Sequence, residues 1–286
     1  MAHIITRRAM LGGATAAGIA AAGGALGEQA PNPPIKGRLK QSACRGCYGR
    51  LSLDQLCEAG KAIGLQGIDL VGENDWAGVT KHGLTVSMSN GPGGISEGWN
   101  HAENHDRLVK ESERLLPLLK AAGGPTMILL SGNRRGISDS EGMANCVTGI
   151  KRVIPLAEQL GINLMMELLN SKRDHKDYQC DHIAWGVELC KRIGSERFKL
   201  LYDIYHMQIM EGDICATIAE NIQYIGHFHT GGVPGRHELD ETQELNWRRI
   251  AQAIVDSGFT GFLAHEFTPR HDPLTSLRQA VQLMDV

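Results

Sequence analysis

The sequence predicts a (β/α)8 barrel, in which eight parallel strands form a closed ring and helices surround it. From residue 38 onwards, a short apolar run, a polar loop and a helical pattern follow one another repeatedly. Eight such units over about 250 residues is the usual size of this fold. An open doubly wound sheet shows the same alternation, and the count of eight units favours the barrel.

The elements are expected in strict strand–helix alternation. The strands span residues 39–44, 67–71, 84–89, 126–131, 162–168, 198–204, 225–229 and 261–267. The helices span residues 53–63, 105–122, 141–160, 183–193, 214–222, 247–255 and 274–284. Ser52 is a suitable N-cap for the first helix, and several helices end in Gly before the next strand, as in QLGIN. Residues 73–83 are expected to be short and irregular.

The N-terminal residues 1–36 have the layout of a twin-arginine (Tat-type) signal peptide followed by a linker. Arg7 and Arg8 directly precede a run rich in Ala, Gly and Ile that carries no charge until Glu28. The alternative is a membrane anchor, but so many Gly and Ala residues make the run only weakly apolar. We therefore expect export to the periplasm or another extracytoplasmic space without stable membrane insertion after processing. Residues 37–286 are expected to form a single barrel domain.

Polar side chains fall at the predicted strand ends four times in the second half of the chain. Glu167 ends the fifth strand, Asp203 the sixth, His229 the seventh and Glu266 the eighth. In a barrel these ends meet on one rim, where active sites are built. His227 shares a strand face with His229. His229 is the better ligand candidate because it lies nearer the strand end.

Three carboxylates on one rim would repel one another, and a divalent cation removes that repulsion. Three carboxylates with one imidazole suit Mn²⁺, Mg²⁺ or Co²⁺ better than a closed structural zinc site. Each residue alone also has a structural interpretation, since an acid can cap a helix and a His can be a core residue. The four together favour a metal site.

The second half of the chain resembles the hydroxypyruvate isomerase family of the xylose isomerase-like TIM barrels. The similar motifs are MELLN, YDIYHMQIMEGD, GHFHTGGVPGRHE and HEFTP. The resemblance is dense over residues 162–267 and loose over residues 38–135. The HFHTG motif looks more like the related ketose 3-epimerases. The family pattern also departs at Arg173, where the epimerases carry a further Glu.

The resemblance implies a role for each matching residue. Glu167, Asp203, His229 and Glu266 would bind one divalent metal, and Glu167 and Glu266 would also act as the acid–base pair. His206, expected in the loop after the sixth strand, would hydrogen-bond a substrate oxygen. Arg236 would bind the substrate's oxygens or carboxylate. The oligomeric state stays open, with a homo-oligomer among the alternatives.

Two further features of the sequence are an aromatic residue in a Gly-rich loop and a closely spaced pair of cysteines. Trp99 lies in a Gly-rich loop after the third strand, where it would shield the substrate as a lid or pack in a surface loop. Cys44 and Cys47 have CxxC spacing, but no second pair completes a zinc site, and the seven cysteines leave at least one unpaired.

The predicted activity is an aldose–ketose type isomerisation of a small hydroxy-carbonyl compound. A proton would move between two glutamates through a cis-enediolate that the metal stabilises. Neither a G-x-G-x-x-G turn nor a Walker motif is present, so no nucleotide cofactor is expected. A net charge of −3 argues against nucleic acid, and thus against the endonuclease IV-like barrels. The alternatives are a ketose 3-epimerase and a non-catalytic exported barrel that binds a sugar or keto acid.

Overall fold

The structure is a computed structural model that describes residues 34–286. The expected Tat-type signal falls almost entirely on residues 1–33, which lie outside the described residues. Residues Ile35–Val286 form one compact unit. It contains eight strands: β1 Lys40–Cys44, β2 Gly67–Asp69, β3 Thr85–Val86, β4 Thr126–Leu129, β5 Asn163–Glu167, β6 Phe198–Asp203, β7 Ile225–Thr230 and β8 Phe262–His265.

The eight strands form one parallel sheet whose two ends meet. The hydrogen-bonded order is β3-β2-β1-β8-β7-β6-β5-β4. Ser89, just beyond β3, forms parallel bridges with Val71 and with Met127 of β4. The backbone N–H of Ser89 donates to Thr126 at 2.9 Å, and the N–H of Ile128 donates to Ser89 at 3.0 Å. These contacts close the ring, and the predicted (β/α)8 barrel is confirmed.

Ten α-helices accompany the strands in the described part of the chain. They are α1 Leu53–Ile63, α2 Glu73–Thr80, α3 His105–Ala121, α4 Asp139–Lys151, α5 Ile154–Leu160, α6 Ile183–Ile193, α7 Ile204–Met210, α8 Ile214–Asn221, α9 Trp247–Asp256 and α10 Pro273–Met284. Ser52 caps α1 as predicted, and Gln55 completes a reciprocal capping box with it. Gly64 ends the same helix in the left-handed conformation, with φ 107°.

Three helical segments differ from the sequence-based expectation. Residues 73–83, expected to be irregular, contain α2. The single helix expected over 141–160 is divided into α4 and α5, because Pro155 occupies the first turn of α5 and has no N–H to continue α4. The strand expected to reach residue 204 ends at Asp203, whose carboxylate caps α7 by accepting from the backbone N–H of His206 at 3.2 Å.

The barrel interior has an apolar layer below a polar one. Met88, Ile128, Met165 and Leu201 form a small buried cluster separate from the large core beneath the helices. Successive inward-facing residues on a strand are two positions apart. The residues two positions beyond Met165 and Leu201 are Glu167 and Asp203, so the next layer toward the C-terminal rim is acidic.

Two further features of the described residues concern helix length and the cysteines. No helix within residues 34–286 combines the length and apolar character that a membrane crossing requires. All seven cysteines are free thiols, and five of them are buried.

Candidate metal centre and active site

Four side chains from four successive strands converge at the C-terminal rim of the barrel. Glu167, Asp203, His229 and Glu266 each offer one ligand atom, and these atoms all lie within 4.8 Å of one another. Asp203 lies directly opposite His229 in the β6–β7 register. The structure therefore brings together the whole ligand set that the sequence predicted.

Two buried atoms in this cluster have no hydrogen bond. His229 Nδ1 lies 2.6 Å from Glu266 Oε2 and 3.5 Å from Glu167 Oε1. Neither His229 Nδ1 nor Glu266 Oε2 makes a hydrogen bond of acceptable geometry. Buried polar atoms are normally satisfied, so a His229 Nδ1 that makes no hydrogen bond and faces two carboxylates fits a bound cation. Three carboxylates and one imidazole fit a hard divalent ion.

The electrostatics of the three carboxylates differ. Burial raises the pKa of Glu167 to about 7, and the neighbouring charge of Glu266 adds to the effect. Burial also raises the pKa of Asp203 to about 6, although Arg236 opposes the shift. Burial acts in the same direction on Glu266, but the charges of His229 and Arg236 outweigh it and lower its pKa to about 2. The carboxylates thus depend on nearby positive charge to be ionised together.

His206 lies in the first turn of α7 and not in a loop, which corrects the expectation for this residue. It is fully buried, and the backbone N–H and side-chain amide of Asn170 approach its Nδ1 at 3.2 Å and 2.6 Å. Because Nδ1 accepts the backbone N–H, the proton of the neutral ring is on Nε2. Nε2 has no hydrogen-bond partner and lies 3.6 Å from Asp203 Oδ2. His206 therefore offers an unused N–H donor beside the cluster.

Arg236 reaches the cluster from the loop after β7. Its Nη2 lies 3.1 Å from Asp203 Oδ2 and 2.7 Å from Glu266 Oε2, and its guanidinium lies over the Tyr205 ring at 5.3 Å. The backbone of Arg236 is left-handed, with φ 56°. Such a conformation is uncommon outside glycine and often marks functional sites. The loop thus holds the positively charged guanidinium of Arg236 against two of the candidate ligands, Asp203 and Glu266.

Trp99 is packed inside the protein and is not exposed at the surface. Its side chain is fully buried, and its ring lies 6.2 Å from that of His105. Its backbone N–H donates to Leu130 at 3.2 Å, which anchors the residue just beyond β4. None of these contacts joins the indole to the four candidate ligands, so a role in substrate binding stays a prediction.

The sequence interpretation missed Asp69 at the end of β2. This carboxylate is fully buried and accepts from Ser87 Oγ at 2.6 Å and from His229 Nε2 at 3.0 Å. His227 Nε2 also lies 3.0 Å from it, and the Cys44 thiol donates to it at 3.7 Å. The signal was available: Asp69 interrupts the apolar run GIDLV in the same way that Asp203 ends its own strand.

Comparison with known proteins gives the family and its named relatives. The sequence profile of the xylose isomerase-like TIM barrel family matches residues 57–285. Over 110 residues the chain is 34% identical to 2-oxo-tetronate isomerase of Cupriavidus necator, covering 38% of this chain and 42% of that protein. The chain therefore spans less than half the length of that relative. Over 205 residues it is 26% identical to a putative hydroxypyruvate isomerase of Homo sapiens, covering 68% and 74% of the two chains.

Solved structures give the same architecture. A structure described as an AP endonuclease, family 2, from Brucella melitensis superposes with a TM-score of 0.77 at 21% identity, covering 84% of this chain and 97% of that one. D-psicose 3-epimerase from Clostridium cellulolyticum superposes with a TM-score of 0.67 at 17% identity, covering 86% and 94%. At such identities these likenesses concern the fold, while the profile match extends over most of the barrel. The chain belongs to the xylose isomerase-like TIM barrel family.

Proposed function

We propose that this protein is an isomerase that moves a proton between neighbouring carbons of a small sugar or keto acid, in the manner of a hydroxypyruvate isomerase. The observation that carries the proposal is the convergence of Glu167 and Glu266 with Asp203 and His229 within 4.8 Å on one rim. The names of the relatives, 2-oxo-tetronate isomerase and putative hydroxypyruvate isomerase, support the same reaction class.

Glu167, Asp203, His229 and Glu266 would hold one divalent cation, with Mn²⁺, Mg²⁺ and Co²⁺ as the candidates. When bound, this ion supplies a Lewis acid that polarises the substrate carbonyl and offsets the negative charge of an enediolate. His229 Nδ1, which is buried and makes no hydrogen bond, supports this assignment.

The proton transfer itself falls to the two glutamates. Removing a C–H proton beside a carbonyl needs a carboxylate base, and returning it to a carbon needs the corresponding acid. Glu167 and Glu266 enter from β5 and from just beyond β8, so a substrate between them would have one on each side. The Nε2–H of His206 would donate to a substrate oxygen, and Arg236 would bind further oxygens or a carboxylate.

A ketose 3-epimerase is the second candidate. The D-psicose 3-epimerase likeness supports it, and so does the HFHTG motif around His229. The two activities share the first proton abstraction and differ in the carbon that receives the proton. A non-catalytic barrel that binds a sugar or keto acid is the third candidate.

One screen separates these candidates. The metal-loaded protein is incubated in D₂O with hydroxypyruvate, tartronate semialdehyde and a panel of ketoses, and the products are examined by NMR. Deuterium on the carbon that was the original carbonyl, with the carbonyl shifted to its neighbour, indicates an isomerase. Deuterium on a carbon that only inverts indicates an epimerase. The absence of exchange with every compound would contradict both activities and favour the binding barrel.

We also propose export through the Tat pathway, on the basis of Arg7, Arg8 and the uncharged run that follows them. The test is fractionation of cells that produce the full chain, compared with an Arg7→Lys, Arg8→Lys double variant. Export of the wild type and cytoplasmic retention of the variant are expected. Equal distribution of the two proteins would contradict the proposal.

A further inference from the structure

A buried polar cluster lies around the Nε2 atom of His229, whereas Nδ1 of the same ring faces Glu167 and Glu266. The cluster consists of Asp69, Ser87, His227 and Cys44, and each of these side chains is at most 1% exposed. None of them belongs to the ligand set that the family resemblance implies. A charged group this deep is costly unless it is paired, so the role of Asp69 requires an explanation.

The contacts of Asp69 bear on His229. Asp69 Oδ1 accepts from His229 Nε2 at 3.0 Å, and Oδ2 accepts from Ser87 Oγ at 2.6 Å. His227 Nε2 lies 3.0 Å from Oδ2, and the Cys44 thiol donates to Oδ1 at 3.7 Å. The carboxylate is thus fixed from both sides, and its orientation in turn fixes the plane of the His229 ring.

The hydrogen bond also determines which nitrogen of His229 can bind a metal. An imidazole that binds a metal is neutral and carries one proton, so an Nε2–H that donates to Asp69 leaves the lone pair on Nδ1. Nδ1 is the nitrogen that faces Glu167 and Glu266, at 3.5 Å and 2.6 Å. With Nε2 unprotonated instead, the lone pair would face a carboxylate and the metal side would carry the proton.

We propose that Asp69 is a positioning residue for the metal centre, which holds His229 in the Nε2–H tautomer and orients its Nδ1 toward the cation. Ser87 supports it by holding the second carboxylate oxygen. The inference rests on the proposed function only in taking His229 as a metal ligand. Loss of a carboxylate that supports a ligating His typically weakens metal binding about 10- to 100-fold.

The test is a calorimetric titration of the EDTA-treated chain with Mn²⁺. We expect one Mn²⁺ per chain for the wild type, and binding about 10- to 100-fold weaker for Asp69→Asn with the same stoichiometry. Ser87→Ala removes one supporting hydroxyl and should weaken binding by a smaller factor, about threefold. The matched control is Asp181→Asn, because Asp181 is also buried and hydrogen-bonded, by Ser171 and Arg134, but does not contact the four ligands. It should leave Mn²⁺ affinity unchanged.

The outcomes that overturn the proposal are distinct from a failure of the proposed function. Wild-type affinity in a folded Asp69→Asn variant, or an equal loss in Asp181→Asn, would remove the positioning role while leaving the metal site intact. Two Mn²⁺ per wild-type chain with one lost in Asp69→Asn would make Asp69 a ligand. No binding by the wild type would overturn the metal centre and the positioning role together. If Asp69→Asn does not fold, a Ser87→Ala variant with wild-type affinity decides against the proposal.

Discussion

At the scale of single residues, the candidate metal centre consists of polar groups at the ends of buried strands. Glu167, Asp203, His229 and Glu266 were selected from the sequence because each ends an apolar run, and the structure brings them within 4.8 Å. Asp69 was missed because the apolar residues Leu70 and Val71 follow it, so the expected strand 67–71 places it in the interior of the strand and not at its end. His206 was assigned to a loop, since the capping of α7 by Asp203 depends on where β6 ends.

The two glutamates lead to a prediction about proton transfer. Replacing Glu167 by Gln removes a carboxylate that takes or returns a proton, so turnover should fall about 10²- to 10⁴-fold. The measurement is the initial rate of substrate interconversion, or of solvent deuterium uptake, at saturating metal and substrate.

Its control is Glu188→Gln, because Glu188 is a surface residue of α6 paired with Arg192 at 2.7 Å. That variant should retain wild-type turnover. If Glu167→Gln retained it as well, the assignment of Glu167 to the acid–base pair would be wrong.

At the scale of elements, six of the seven expected helices match the structure within one residue at each end, whereas several strands are shorter than expected. All eight expected strands are present, and their apolar runs are set by burial inside the barrel. The division between α4 and α5 depends on one proline, and α2 and α7 are short helices stabilised by the surrounding fold. Such short segments have weak intrinsic preferences, and tertiary contacts decide their conformation.

The loop that carries Trp99 provides a prediction at this scale. A Cβ on Gly98 would lie 2.2 Å from the backbone oxygen of Leu130 and 2.4 Å from the backbone N of Gly132. These neighbours belong to the main chain after β4 and cannot rotate away. Gly98→Ala should therefore lower the free energy of unfolding by about 1–3 kcal/mol or more, because that is the usual cost of overpacking.

Gly94 in the same loop is the matched comparison, because a Cβ there would meet no atom within 4 Å. Urea unfolding followed by circular dichroism should show Gly94→Ala within about 0.5 kcal/mol of the wild type. Equal stability of the two variants would mean that this loop does not lie against β4 as described.

At the scale of the whole molecule, the barrel, its family and the rim location of the site followed from the sequence. The substrate and the choice between isomerisation and epimerisation did not follow from the sequence, because proteins of the same fold carry both isomerase and epimerase names. The location of Arg236 could be predicted only from the resemblance. Its left-handed backbone and its contacts with Asp203 and Glu266 depend on how the loop after β7 folds.

A bound divalent ion should stabilise the entire domain. A ligand at 100 times its dissociation constant adds about 2.7 kcal/mol to the free energy of unfolding. For a domain of this size that corresponds to a rise in Tm of about 5–10 °C. Thermal unfolding with excess Mn²⁺ and with excess EDTA measures the difference.

The difference in Tm should vanish in a His229→Ala variant and persist in Asp181→Asn. An equal Tm with Mn²⁺ and EDTA in the wild type would argue against a metal bound by the folded state.

The barrel has two parts that differ in backbone pairing. One is an arc of six strands from β4 to β1, and the other is the joint between β3 and β4, where the ring closes. From β4 through β5, β6, β7 and β8 to β1, every neighbour is joined by a ladder of four or more paired residues. Between β3 and β4, the joint depends on the backbone of Ser89. All four candidate ligands lie on or just beyond strands of the arc, so a transient opening of the joint would leave their spacing unchanged. The bond from His229 to Asp69 reaches across the interior to β2, and so ties the arc to the side of the barrel where the joint lies.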